Sequence, residues 1–272
     1  MYRTFKLHET IVSRFVVSLN DMQPDYRLST FAAFGYFQDA VAKFFSDRFV
    51  GAYDVLPLGY IWVVPDHTMT VTGDFPYWGD EVTVEVLLSE VTALKLIFDY
   101  RLLDRDGAVF AKGSGTWSPV NAETGRPTPI DPICTFDLSP ADGTPAALHK
   151  KVLLPKYGTM VKEVSKLMTF SDMDFNRHVG NRSYINFALQ SIPVDLDADW
   201  DVEDIAVRFL RQTYIGDTLT ARIMVPDSPS DPGTAAFLIA EINSAGEEVC
   251  RLHITARQRT TPRPDFGKHL IR

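Results

Sequence analysis

The hydrophobic pattern predicts an α+β fold in which an antiparallel sheet curls around a long helix, with that arrangement given twice in one chain. Three observations carry this. A helical stripe of large apolar residues precedes a series of strand-like runs in the first half. A shorter amphipathic helix and a similar series of runs make up the second half. Between them, the stretch from Pro127 to Pro155 holds six prolines and no sustained periodicity, which reads as a surface linker.

In the first half, Ser29 or Thr30 supplies a helix cap. Phe31, Phe34, Val41, Phe44 and Phe45 then recur at helical spacing, with Phe37 and Phe49 thickening the stripe. A helix this apolar must be wrapped by other structure. Strand-like runs follow at 67–75, at 80–91 after the turn Trp78-Gly79-Asp80, at 96–104, and at 108–120 beyond Asp106-Gly107. In the second half, Asn181 is expected to cap a helix with Tyr184, Ile185, Ala188, Leu189 and Ile192 on one face. Strand-like runs follow at 205–212, 217–225, 235–243 and 248–258. Tyr77-Trp78-Gly79-Asp80 corresponds to Tyr214-Ile215-Gly216-Asp217, and Asp106-Gly107 to Ala245-Gly246, at nearly the same offset. One helix followed by four or five antiparallel strands, twice over, is the double hot-dog arrangement, expected to join two antiparallel sheets into one, each wrapped around a central helix. The expected boundaries are a first hot-dog over 1–128, a linker over 129–155, a second hot-dog over 156–262 and a tail over 263–272. Such a fold hosts hydrolases, dehydratases and ligand sensors, so chemistry must be read from a site.

Composition narrows the classes. The chain has 272 residues, 45% hydrophobic and 23% charged, the balance of a globular protein, and its 18 Phe suit a large apolar interior or a cavity for an apolar ligand. The N-terminus lacks the apolar core of a signal peptide and no stretch is long enough for a membrane span, so a cytoplasmic protein is expected. Cys134 and Cys250 are too few and too far apart for a disulfide framework or zinc site, and no metal or cofactor is expected. A net charge of −8 argues against nucleic acid as a partner. Yet Lys150, Lys151, Lys156, Lys162, Lys166, Arg177 and Arg182 oppose only Glu163, Asp172 and Asp174 between 150 and 182. That local basic patch on an acidic protein suits either an acidic partner or a solvated linker.

The segment most suggestive of chemistry is Phe170–Tyr184, F-S-D-M-D-F-N-R-H-V-G-N-R-S-Y. If extended, alternation places Asp174, Asn176 and His178 on one side, ahead of a helix whose free N–H groups can hold a developing negative charge. A carboxylate, an amide and an imidazole suit attack on an acyl thioester: the carbonyl is polarised, water is activated and a good leaving thiolate departs. Asp172 and Asn181 read as turn and cap residues.

The stretch DMDFNRHVGNRSYI resembles the D-x-D-x-N-x-H-V-N-N-x-x-Y-I signature of acyl-acyl-carrier-protein thioesterases. The resemblance extends over Tyr60-Ile61-Trp62-Val63, Phe75-Pro76-Tyr77-Trp78-Gly79-Asp80, and Gly115-Thr116-Trp117 through Asn121-Ala122-Glu123-Thr124-Gly125-Arg126. It implies that Asp174, Asn176 and His178 are catalytic and that a second site strand runs over 207–213. There the family's R-R-E-C reads Leu210-Arg211-Gln212-Thr213, so Gln212 can hold water but cannot take its proton. It further implies an acyl chain in the first half along Phe34, Phe37 and Trp62, substrate contacts by Asn181, and Arg177 and Arg182 facing an acidic acyl carrier protein. Gly180 stands where the family has Asn. The expected activity is hydrolysis of fatty acyl-carrier-protein thioesters in fatty acid biosynthesis. An acyl-CoA thioesterase and a non-catalytic acyl-binding hot-dog are the alternatives. A homodimer is left open, and acyl chain length is not written in any one residue.

Overall fold

The computed structural model describes residues 4–137, 158–196, 199–227 and 231–260. The expected linker from 138 onward and the expected tail lie outside the described residues. Within the described stretches, residues 1–17 and 33–151 form one compact unit and residues 18–32 and 152–272 the other.

In the first unit, β1 (Thr4–Lys6) is short and β2 (Thr10–Val16) is followed, after residues 18–32 that count with the other unit, by the rest of α1 (Thr30–Asp47) and a single turn, α2 (Ala52–Val55). Four strands follow: β3 (Tyr60–Val71), β4 (Glu81–Val91), β5 (Leu96–Leu103) and β6 (Val109–Asn121), with short β7 (Thr135–Asp137) pairing parallel to β1. The antiparallel order is β2-β4-β5-β6-β3. Phe34, Phe37, Val41 and Phe44 on α1 are fully buried, as their spacing of three and four residues requires for a helix seated on a sheet. Ser29 caps this helix, its Oγ accepting from the Ala32 N–H at 3.4 Å. Phe49 departs from the expected stripe: it lies beyond the helix end at φ 55°, and is 59% exposed.

The second unit repeats the plan. β8 (Thr159–Leu167) leads through a loop into α3 (Asn181–Ser191), followed by β9 (Trp200–Phe209), β10 (Thr218–Val225), β11 (Thr234–Ile242) and β12 (Glu248–Gln258). Their order is β9-β12-β11-β10-β8, again antiparallel. Setting aside the separate β1–β7 pair, each copy therefore has one strand before its helix and four after it. The sequence pattern misses β2 and β8 because neither alternates cleanly; β8 is exposed along most of its length. Asn181 is the first helical residue rather than the cap, a place taken by Gly180 with no side-chain cap bond.

The duplication extends to hydrogen bonds. In the first copy the Tyr77 N–H donates to Asp80 Oδ2 (3.0 Å) and the Gly79 N–H to the Val17 carbonyl (3.0 Å). In the second, Tyr214 N–H donates to Asp217 Oδ2 (2.9 Å) and Gly216 N–H to the Met168 carbonyl (2.9 Å). Gly79 and Gly216 sit at φ 82° and 88°, a conformation that glycine adopts without steric cost. Among the described residues, no helix is long and apolar enough to cross a membrane.

Candidate active site

The loop between β8 and α3 is a compact turn, not the extended segment expected. Asp174 N–H donates to the His178 carbonyl (2.8 Å), Arg177 N–H donates to the Asp174 carbonyl (3.1 Å), and Met173 and Val179 form an isolated bridge. The Asp174 carboxylate accepts the Asn176 N–H at 2.8 Å, the local bond that Asp makes to a backbone two residues on. Arg177 takes up the reversal at φ 64°, a left-handed conformation uncommon outside glycine. The turn thus closes Asp174 and His178 over each other's backbone and leaves Asn176 and Arg177 exposed at its tip.

Asp172 anchors the base of this turn. It is 5% exposed, and its carboxylate accepts from Lys166 Nζ (2.5 Å), the Thr169 N–H (2.9 Å) and the Thr169 hydroxyl (3.0 Å). Burial raises its pKa, but the lysine and the two Thr169 donors outweigh it and hold the carboxyl below its ordinary value. The Asp172 carbonyl accepts from the Gly180 N–H (2.9 Å) and the Ser183 hydroxyl (2.9 Å), fixing the start of α3 beside the turn. A Cβ at Gly180 would stand 3.3 Å from the Asp174 Cβ, so glycine there leaves room for the candidate carboxylate.

The segment after β9 completes the site. Val179 N–H donates to the Thr213 carbonyl at 2.8 Å. Tyr214 meets the His178 ring edge-to-face, with centroids 5.2 Å apart, and its hydroxyl lies 3.2 Å from Gln212 Oε1. Tyr214 therefore links the two elements that sequence reasoning treated separately, and it was not among the expected site residues. Its signal lay in the Tyr-x-Gly-Asp turn, quoted only as evidence of duplication. Arg182 sets its guanidinium 5.4 Å from the centre of the Phe31 ring, within the same unit, whereas Arg177 is exposed. Asn181 is half-buried.

The residues expected to wall an acyl chain lie in the first unit. Phe34 and Phe37 are fully buried and box the His67 ring at 4.5 and 4.7 Å, with Phe37 stacked on Tyr100 at 3.7 Å. Trp62 is half-buried; its indole N–H donates to the Val50 carbonyl (2.8 Å) and its ring stacks on Phe45 (4.6 Å). Inside its aromatic box His67 has no hydrogen-bond partner at either nitrogen, and burial pushes its pKa down to about 3.

A helix covered by an antiparallel sheet, present in two copies, defines a double hot-dog protein, and one copy carries the acid–amide–imidazole turn. Residues 161–258 match the family described as acyl-ACP thioesterase C-terminal domain. The chain is 23% identical over 233 residues to a chloroplastic palmitoyl-acyl carrier protein thioesterase of Cuphea hookeriana, covering 84% of this chain and 54% of the relative. It spans about half the length of the curated relatives it matches. Two solved structures share the fold. The 12:0-ACP thioesterase from Umbellularia californica superposes with a TM-score of 0.73 at 18% identity, covering 92% of this chain and 94% of that one. An acyl-ACP thioesterase from Bacteroides thetaiotaomicron gives 0.72 at 19% identity, covering 91% and 98%.

Proposed function

We propose that the chain hydrolyses the thioester of a fatty acyl group carried on acyl carrier protein, releasing free fatty acid and the carrier thiol. The observation that supports this reading is the β8–α3 turn: backbone bonds join Asp174 to Asn176 and His178 just ahead of a helix, and Tyr214 packs on the His178 ring while its hydroxyl reaches Gln212. In the reaction, a water oxygen bonds to the thioester carbon, the C–S bond breaks, and the proton lost by water ends on the thiolate. Gln212 orients water but cannot accept its proton, so activation falls to Asp174 and His178. Asn176 supplies an amide donor, and the first N–H groups of α3 face developing charge on the carbonyl oxygen.

On the same reading, the acyl chain is held in the first unit along Phe34, Phe37 and Trp62, with Asn181 contacting the substrate. Arg177, Arg182, Lys162 and Lys166 meet the acidic carrier or the phosphate of its pantetheine arm. Both cysteines among the described residues are free and buried, which suits a reducing cytoplasm.

The test is release of fatty acid from acyl carrier protein, with the same acyl group on CoA measured alongside. Preference for the carrier substrate is expected; equal efficiency would sink the carrier assignment. A wild-type protein that retains acyl ligands without turnover would replace the hydrolase by a binding module.

A further inference from the structure

The interior of the second unit holds four polar side chains that the mechanism above leaves unused. Glu241 on β11 and Cys250 on β12 are directly paired across the sheet, and both are fully buried. Tyr184 in the first turn of α3 and Thr213 after β9 are 3% and 0% exposed. Tyr184 lies within electrostatic reach of Thr213, Cys250 and Glu241. The Tyr184 hydroxyl lies beside Thr213 and the Glu241 carboxyl beside Cys250, near enough to interact, yet none of the oxygens of Glu241, Tyr184 and Thr213 closes a hydrogen bond of good geometry. Burial pushes the Glu241 carboxyl well above its ordinary range, which favours the neutral form that can donate as well as accept.

The first unit provides an internal control. Glu241 and Cys250 stand five residues before and four after Gly246; the residues so placed around Gly107 are Leu102 and Ala111. Leu102 and Ala111 are likewise paired and fully buried, with the same register shift one residue on. Tyr184, in the fourth position of its helix, corresponds to Ala33, and Thr213, just before the Tyr-x-Gly-Asp turn, corresponds to buried Pro76. The same scaffold is thus built with an apolar set in one copy and a polar set in the other. Leaving polar groups buried and unpaired is unfavourable. At these four corresponding positions that cost falls on the copy that carries Asp174, Asn176 and His178, while the first copy is apolar there and leaves His67 unpaired elsewhere.

The cluster reaches that turn through two covalent neighbours. Thr213 accepts the N–H of Val179, the residue after His178, and Thr213 is followed by Tyr214, which packs on the His178 ring. Tyr184 lies one helical turn beyond Gly180, which borders Asp174. We propose that Glu241, acting through Cys250, Tyr184 and Thr213, is a positioning residue that sets His178 and Tyr214 for reaction. This rests on the reading of the β8–α3 turn as a hydrolytic centre.

The experiment compares the 272-residue chain with E241L/C250A, which installs a large–small apolar pair like that of the first unit, and with Glu241→Gln, which keeps a neutral hydrogen-bonding group. Steady-state hydrolysis of acyl carrier protein, thermal midpoint and the imidazole NMR resonances of His178 are read for each. E241L/C250A is expected to melt higher than wild type, lose about tenfold or more in kcat with KM within about threefold, and shift the His178 resonances. Glu241→Gln is expected to hold kcat within about threefold of wild type. Wild-type kcat in E241L/C250A overturns the proposal, as does an equal loss in Glu241→Gln. Should the double variant fail to fold, Tyr184→Phe decides: removal of that one hydroxyl must lower kcat, and unchanged kcat overturns the proposal. Full turnover in His178→Ala would fail the hydrolase reading itself; full turnover in E241L/C250A beside an inactive His178→Ala fails this proposal alone.

Discussion

The loop from Ser18 to Thr30 and the loop from Thr169 to Asn181 have the same backbone and different chemistry. Ser18 binds Asp21 as Thr169 binds Asp172, through main-chain N–H and hydroxyl in both. The Met22–Leu28 bridge matches Met173–Val179, and Tyr26 at φ 66° matches Arg177 at φ 64°. Gln23 N–H donates to the Arg27 carbonyl (2.9 Å) as Asp174 N–H donates to that of His178 (2.8 Å). In the first loop, however, Gln23, Asp25 and Arg27 occupy the places of Asp174, Asn176 and His178. Arg27 and buried Asp25 approach each other at 3.9 Å, an ion pair with no titratable imidazole near neutral pH. The turn is thus a structural device available to any sequence that anchors it, and the residues at its three positions decide whether it can do chemistry.

The largest expected effect separates the two loops directly. His178→Ala should lower acyl release by about 10³-fold or more while circular dichroism shows an intact fold, whereas Arg27→Ala should leave turnover within about threefold. Placing Gln23→Asp, Asp25→Asn and Arg27→His in the His178→Ala background should leave turnover below about 1% of wild type, because the buried polar set behind the second loop is missing from the first. Recovery of activity would break the distinction between the copies.

Next come the anchors. Asp172 is buried against Lys166, so Asp172→Ala should cost about 2 kcal/mol in denaturant unfolding and lower kcat. Asp21→Ala in the more exposed loop should cost less than about 1 kcal/mol. Equal losses would mean that the two anchors carry the same load.

The first unit carries its own titration. His67 is held neutral, with its pKa depressed from 6.5 to about 3, so its contribution is present above pH 6.5 and is lost as pH falls toward 3. Unfolding free energy should drop by at most about 5 kcal/mol across that window from this group, and His67→Leu should flatten the acid limb. The smallest effect concerns Gly180→Ala, whose new methyl presses on Asp174 from 3.3 Å; a kcat loss within about fivefold is expected from so small a displacement. Were kcat to fall a hundredfold, the turn would be far more rigid than its contacts suggest.

Much of this was legible in the chain. The stripe Phe34, Phe37, Val41 and Phe44 announces α1, because helix period and burial are coupled whatever the partner. The Tyr-x-Gly-Asp turns announce the duplication, because glycine is needed at their positive φ. Asp174, Asn176 and His178 stand out as chemistry-bearing types at short spacing. Edge strands β2 and β8 carry too little hydrophobic alternation to be seen. The likeness of the Ser18–Thr30 loop to the Thr169–Asn181 loop is hidden because backbone bonds, not side-chain identities, make them alike.

By itself the sequence determined the fold class and the two helices with their turns, and pointed to the candidate segment at 170–184, since each rests on local spacing and residue type. Only the tertiary structure decided that this segment closes into a turn, that Tyr214 abuts His178, and that Glu241 faces Cys250 in the buried interior. Those facts depend on strand register and on contacts between residues far apart in the chain, which no local pattern encodes.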